Sequence, residues 1–334
     1  MGESEKQSPA KKSRRNFMVA GILALGAAVA GLVLGRDYIS PPQQQAQQGP
    51  PPPQEQQPAP QPQPQPAPAP VPQPAQPAPA PPKPEVPKKF TLDQTAGEAI
   101  KYPGEGGDVL AYEARPKFDA EFPVIIIIHE NSGLLEHFKD VARRYAMEGF
   151  VAVAVDFLSR VGGSSDNERD NAMKQSRMSD TMVQSDVDST IKYLKSKQYV
   201  KGNKIGITGF CWGGRQSVIA SLRSREIAAG IPYYGFPVNA RPSEIQSINP
   251  IELVPSSTAA VLAHFGAADR GIPLEQVEQF RKALQDNNKT FELYIYDGAG
   301  HAFFNDSRPQ VYNEAAANLS WERNLAFLEK YLKS

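Results

Sequence analysis

From Phe90 onward the chain alternates between two textures. Uninterrupted apolar runs occur at PVIIIIHE (123–130), FVAVAVDF (150–157), KIGITGF (204–210), AAGIPYYG (228–235), AAVLAHFG (259–266) and FELYIYDG (291–298). A run with no polar alternation has both faces buried, which is the pattern of a parallel strand covered by helices. Between the runs lie amphipathic stretches: LLEHFKDVARRYAMEG, MVQSDVDSTIKYLKSK, RQSVIASLRS, LEQVEQFRKALQDN and the terminal NEAAANLSWERNLAFLEKYLKS. This alternation predicts an α/β fold with a mostly parallel central sheet, helices on both faces and right-handed crossovers. The shorter VLAYEAR, 109–115, adds an antiparallel strand at the start. No internal repeat is visible.

The pattern is absent before Phe90. Of the 32 prolines in 334 residues, most fall between Pro41 and Pro87, in a tract of proline, glutamine and alanine. Such a tract has almost nothing to bury and favours extended polyproline II geometry. At ~3.1 Å per residue it would span on the order of 100 Å, as a spacer or as a ligand for proline-recognition modules. Ahead of it, Lys11, Lys12, Arg14 and Arg15 precede an uncharged run from Phe17 to Gly35, the layout of an export signal. Ser13-Arg14-Arg15-Asn16-Phe17-Met18 resembles the twin-arginine signal, which implies export of a folded bacterial protein to the periplasm or cell envelope by that machinery. Cleavage behind Ala28-Val29-Ala30 is the expectation; the alternative keeps residues 17–35 as a membrane tether. The chain therefore divides into an export signal or anchor (1–40), a linker (41–88) and one folded domain (89–334), long enough to bury a core unaided.

Lys and Arg number 36 and Asp and Glu 36, which leaves no basic footprint for nucleic acid. The single cysteine excludes an internal disulfide and a resolving partner for thiol redox chemistry. The four histidines, at 129, 137, 264 and 301, form no HExxH, and no GxGxxG follows the first strands, so neither zinc nor a dinucleotide is expected. No cofactor is expected at all.

In sheets of this type functional residues gather at the carboxyl ends of strands. Glu130, Cys211, Asp269 and His301 each follow an apolar run. Gly209-x-Cys211-x-Gly213 lies between a strand and a helix expected to begin near Arg215, which makes it a nucleophile elbow with sulfur in place of oxygen. Taken alone, Cys211 could as well be a buried, inert thiol. The chain order cysteine, aspartate, histidine is the order of an elbow triad: imidazole to carry the proton, carboxylate to fix its tautomer. Glu130 reads two ways, as a site carboxylate or as a cap or ion-pair partner. Trp212, Tyr233 and Tyr234 equally line an apolar pocket or pack the core.

These stretches together resemble the dienelactone hydrolases, or carboxymethylenebutenolidases, a cysteine branch of the α/β-hydrolases. The resemblance runs from about 120 to 330 and is carried by HENSGL (129–134), DVARRYAMEGFVAVAVDFL (140–158), GFCWGG (209–214), HFGAADRGIP (264–273) and GHAFFNDSRP (300–309). It implies the α/β-hydrolase fold and hydrolysis of an ester or lactone through an acyl-cysteine. Cys211 is then the nucleophile, Asp269 the acid, His301 the base, and Glu130 a carboxylate that interacts with the resting thiol until substrate displaces it. The oxyanion hole would be the backbone N–H groups of Trp212 and Asn131.

The family binds the carboxylate of dienelactone through arginines, one of them four residues after the triad histidine. Here that position is Asn305, and the nearest arginine is Arg308. The second would come from the loop after Asp156, where Arg160, Arg169 and Arg177 are available without a motif to choose among them. A reading of another class is a non-catalytic cell-envelope binding protein built on the same scaffold.

Overall fold

A computed structural model of the chain describes residues 85–239 and 241–334, all within one compact unit, Ala78–Ser334. The expected export signal and nearly all of the linker lie outside the described residues. Among the described residues no helix is long and apolar enough to cross a membrane.

Eight strands form one sheet: β1 (Thr95–Gly104), β2 (Gly107–Pro116), β3 (Phe122–Ile128), β4 (Val151–Asp156), β5 (Val200–Phe210), β6 (Ile227–Tyr233), β7 (Ala260–Gly266) and β8 (Phe291–Tyr296). Their spatial order is β1-β2-β4-β3-β5-β6-β7-β8. β1 and β2 pair antiparallel, β2 runs antiparallel to β4, and every later pairing is parallel. This is the mostly parallel sheet that the apolar runs predict, in the arrangement of an α/β-hydrolase.

Alternation along a strand divides the core in two. Ile125 and Ile127 of β3 face one apolar cluster with Phe138, Val141 and Tyr145, while Val124, Ile126 and Ile128 face a second with Val183 and Val187. The first set belongs to α1 (Glu136–Met147) and the second to α3 (Asp180–Lys195), so the helices cover opposite faces. In α1 the buried Phe138, Val141, Ala142 and Tyr145 fall at three- and four-residue intervals, the spacing that puts them on one stripe. Gly149, at φ +80°, ends that helix and admits the turn into β4.

Two elements depart from expectation. β1 was not anticipated, because its TAGEAIKYPG is an edge strand with five exposed residues and a proline, not an apolar run. α2 (Glu168–Gln175) was not anticipated either: ERDNAMKQ buries only Asn171, so it carries no apolar period. The remaining helices are α4 (Trp212–Arg223), α5 (Leu274–Asp286) and α6 (Glu314–Leu328). α4 begins at Trp212, three positions ahead of the Arg215 expected from the sequence, which leaves Cys211 itself at the junction with β5.

Candidate active site

Cys211 is the single residue between β5 and α4, with φ 58° and ψ −117°, a region that a side chain enters only under strain. Two hydrogen bonds hold it there: its N–H donates to the Tyr233 carbonyl, and its own carbonyl accepts from Arg215 N–H, both at 3.1 Å. The flanking glycines are required by close approach. A Cβ on Gly209 would lie 2.1 Å from the Gly213 carbonyl oxygen, and one on Gly213 would lie 2.3 Å from that of His129. Cysteine is half-buried here and in no disulfide among the described residues. The N-terminus of α4 directs unpaired N–H groups and partial positive charge at it.

Asp269 follows β7 and His301 follows β8. The His301 Nδ1–H donates to Asp269 Oδ2 at 2.7 Å, and the carboxylate side chain is 1% exposed. The other carboxylate oxygen accepts from Gly271 N–H at 2.8 Å, so Asp269 cannot swing away. With Nδ1 so occupied, Nε2 is the atom free to exchange a proton. Burial opposes a charge on His301, but the Asp269 hydrogen bond and the interaction with Cys211 outweigh it, and the pKa is pushed up to about 10. Imidazole and carboxylate thus form one hydrogen-bonded pair, with Cys211 as an electrostatic neighbour of the ring.

Glu130 lies just beyond β3, 2% exposed. Its Oε2 accepts from Asn305 Nδ2 at 3.4 Å and from Arg308 Nη1 at 3.3 Å, while Oε1 has no hydrogen-bond partner among the described residues. Burial pushes the carboxyl up, against the pull of Arg308, His301 and Asn305. Arg308 also reaches Glu168, the first residue of α2, at 2.5 Å. Its loop is anchored to α1, where Asp306 bonds His137 at 3.0 Å and pairs with Arg144.

The segment after β3 is held from two sides, by residues that sequence reasoning missed. Asn171 of α2, fully buried, donates to the Ser132 carbonyl at 2.6 Å. Ser164 accepts from Leu134 N–H at 2.8 Å and is itself fixed by Asp156, through 2.7 Å bonds to its N–H and hydroxyl. His129 donates from Nδ1 to the Glu130 carbonyl at 2.6 Å and accepts Phe157 N–H at Nε2. These are polar residues in loops or at the margins of elements, without apolar periodicity; only the density of Ser, Asn and Asp in SRVGGSSDNERDN marks the segment as hydrogen-bonded rather than free.

Asn131, Cys211 and Trp212 line one cleft of about 480 Å³, together with Phe236, Arg241 and Gln276 among others. Asp269 and His301 line a second, of about 530 Å³, and Phe236 forms part of the wall of both. The two aromatic alternatives separate here. Trp212 lines the cleft, whereas Tyr233 is core: its hydroxyl donates to Ser320 and accepts from Asn324.

Of the substrate-binding candidates, Asn305 and Arg308 meet at Glu130. Arg160 does not reach the cleft: its guanidinium pairs with the buried Asp186 at 2.8 Å and bonds Ser185, on α3. That expectation is corrected, because a buried carboxylate claims the cation first. Arg169 and Arg177 are exposed and make none of the described ion pairs.

Comparison with known proteins agrees with this geometry. The dienelactone hydrolase family matches residues 109–332. A candidate carboxymethylenebutenolidase of Methylorubrum extorquens is 34% identical over 71% of this chain and 81% of its own length. A candidate 2-oxo-3-(5-oxofuran-2-ylidene)propanoate lactonase of a Bradyrhizobium species is 32% identical over 68% of this chain and 91% of its own. The crystal structure of a candidate dienelactone hydrolase from Klebsiella pneumoniae covers 71% of this chain and 99% of its own, at 31% identity and a TM-score of 0.66. The chain belongs to the dienelactone hydrolase family and is a hydrolase of esters or lactones on the α/β-hydrolase fold.

Proposed function

We propose that Cys211 carries the reaction as nucleophile, with His301 as its base and Asp269 as the group that orients the imidazole. His301 Nε2 takes the thiol proton as the sulfur attacks the ester carbonyl carbon. The carbonyl oxygen becomes an oxyanion and is met by the N–H groups of Trp212 and Asn131. Collapse breaks the bond to the alcohol or enol oxygen, which receives the proton from His301. Water then attacks the acyl-cysteine, gives His301 its proton, and releases the acid as the thiol is restored. In the resting state Glu130 faces the thiol and restrains it, which limits oxidation of an idle thiolate.

The observation that carries this reading is the 2.7 Å bond from His301 Nδ1 to a shielded carboxylate, in a ring that also interacts with a cysteine on a strained elbow. The two clefts that share Phe236, one lined by Cys211 and the other by Asp269 and His301, suit the two halves of an ester. Arg160 and Arg308 are already paired with carboxylates, which favours a small neutral ester or lactone. A carboxylate-bearing lactone is the second reading, favoured by Arg241, an exposed cation that lines the cysteine's cleft.

The test is a turnover screen of the protein over neutral p-nitrophenyl esters, neutral lactones and anionic lactones, with Cys211→Ala as control. Loss of all turnover in the variant, with neutral substrates preferred in the wild type, is expected. Turnover that survives Cys211→Ala would exclude the acyl-cysteine, and a preference for anionic lactones would hand the substrate to the second reading.

A further inference from the structure

The cleft beside Cys211, about 480 Å³, has the size of a small-molecule site, and its lining is polar but nearly uncharged. No carboxylate lines it, although Asp and Glu number 36 in the chain. Of its two arginines, Arg215 is buried in an ion pair with Asp180, with Nη2 3.0 Å from Oδ2, which leaves Arg241. Carboxamides from four segments supply the rest: Asn131 after β3, Gln175 at the end of α2, Asn239 and Gln246 after β6, and Gln276 in the first turn of α5. Asn239 is engaged within the fold, donating to the Gln246 carbonyl at 2.7 Å and accepting Arg241 N–H at 3.2 Å. Gln175, Gln246 and Gln276 bond through the backbone alone among the described residues: the Gln175 carbonyl accepts Met178 N–H, Gln246 N–H donates to Ser243 Oγ, and Gln276 N–H donates to the Pro273 carbonyl. Gln276 Oε1 is also buried, with no hydrogen-bond partner among the described residues.

Gln246 is held where it is by the interior. Asp180, the first residue of α3, accepts Ile248 N–H at 2.9 Å, and its own N–H donates to the Ile245 carbonyl at 2.8 Å. Arg215 donates to the Ile248 carbonyl at 2.6 Å. The buried ion pair thus grips the chain on both sides of Gln246, so that its side chain is presented to the cleft on a fixed backbone.

The chemistry of the lining selects the ligand. A carboxamide offers donors and an acceptor, and a hydroxyl both donates and accepts, so a hydroxyl satisfies either end of each amide. A carboxylate only accepts and leaves Gln276 Oε1 unpaired; an alkyl chain does neither and strips water from every amide without replacing its hydrogen bonds. We propose that Gln175, Gln246 and Gln276 are specificity-determining residues that make the substrate a neutral, polyhydroxylated ester or lactone. The inference rests on the reading of this cleft as the seat of ester or lactone hydrolysis and names the substrate class within it. Arg241 then serves as a further donor to a substrate oxygen.

Calorimetric titration of the full-length protein with three lactams, which keep a six-membered lactone's ring and resist hydrolysis, tests this. D-Glucono-δ-lactam should bind about tenfold or more tightly than δ-valerolactam, which lacks the hydroxyls, and than 6-oxopiperidine-2-carboxylate, which carries a carboxylate instead. Gln246→Met and Gln276→Met conserve side-chain length and remove the amide. Each should weaken D-glucono-δ-lactam about fivefold and leave δ-valerolactam within about twofold. Equal affinity for D-glucono-δ-lactam and δ-valerolactam, a preference that survives both substitutions, or a parallel loss for the two lactams would overturn the proposal. Tightest binding of the carboxylate would overturn it as well and give the cleft to Arg241. Binding is read without turnover, so turnover surviving in Cys211→Ala would reject the acyl-cysteine and leave this result standing.

Discussion

Three of the four non-glycine residues with positive φ among those described, Cys211, Tyr234 and Ala302, lie in the segments that follow β5, β6 and β8, where the triad residues Cys211 and His301 also lie; the fourth, Asn288, lies in the turn before β8. Strain gathered there is held by the surrounding packing and hydrogen bonds rather than relieved. His301, next to Ala302, depends on that arrangement for its charge. Its folded-state pKa, about 10, lies above the ordinary histidine value of 6.5 despite burial, through Asp269 and Cys211. Asp269→Asn removes a charge and a hydrogen bond while keeping the shape. The imidazole midpoint, followed by NMR, should then fall by several units toward the ordinary range; an unchanged midpoint would contradict the assignment of cause. Stability follows with a definite sign. A pKa raised on folding contributes stability below the unfolded value, near 6.5, and loses it as pH rises through about 10. The Tm difference between wild type and Asp269→Asn should therefore shrink on going from neutral to strongly alkaline pH.

At the level of elements, the sheet edge that holds the site is assembled by contacts that apolar patterning does not encode. Strand ends deliver Cys211, Asp269 and His301, and these were legible because each follows a buried run and the elbow demands glycines at fixed offsets. α2 was not legible, since its value lies in one fully buried amide. Asn171 donates 2.6 Å bonds to the carbonyls of Ser132 and Ser165 and accepts Ser165 N–H at 2.8 Å. Gly133, at φ +85°, lets the chain pass under it: a Cβ there would lie 2.7 Å from Asn171 Nδ2. Asn171→Ala should leave those carbonyls unpaired in the interior, destabilising the fold by about 2–4 kcal/mol in denaturant titration. It should also loosen the segment that carries Glu130 and Asn131, lowering kcat about tenfold or more with little change in KM. A variant with normal kcat would show that the segment keeps its place without α2. Arginine selection failed from sequence for the same reason. Arg160 lies in a single 3-10 turn (Ser159–Val161) and Arg308 in a loop, and only the folded chain shows that Asp186 holds one and Glu130 with Glu168 the other.

Across the whole domain, the site and the point where the chain enters lie at opposite edges of the sheet. Cys211 and Glu130 lie beyond the carboxyl ends of β5 and β3. Phe90 lies at the starting edge, where its N–H donates to the Met147 carbonyl at 2.7 Å and its ring meets that of Phe122, at the head of β3, at 5.8 Å. Lys89 pairs with Glu148 beside it. Every described group of the site follows the start of β3, and the residues ahead of Glu85 carry the sequence features of export and spacing. We infer that they serve location: Arg14-Arg15 and the run 17–35 direct export to the periplasm or cell envelope, and the proline tract spaces the domain from whatever holds it. Two measurements separate these roles. A chain begun at Glu85 should retain kcat, KM and Tm of the full-length protein within about twofold and a few degrees, because it keeps both apolar clusters and the Phe90 anchor. The paired substitution Arg14→Lys, Arg15→Lys should keep the same activity in extracts while the protein accumulates inside the cell instead of in the periplasmic or envelope fraction. Loss of turnover in the shortened chain would place part of the N-terminal segment at the site, and unaltered fractionation of the lysine variant would reject the export reading.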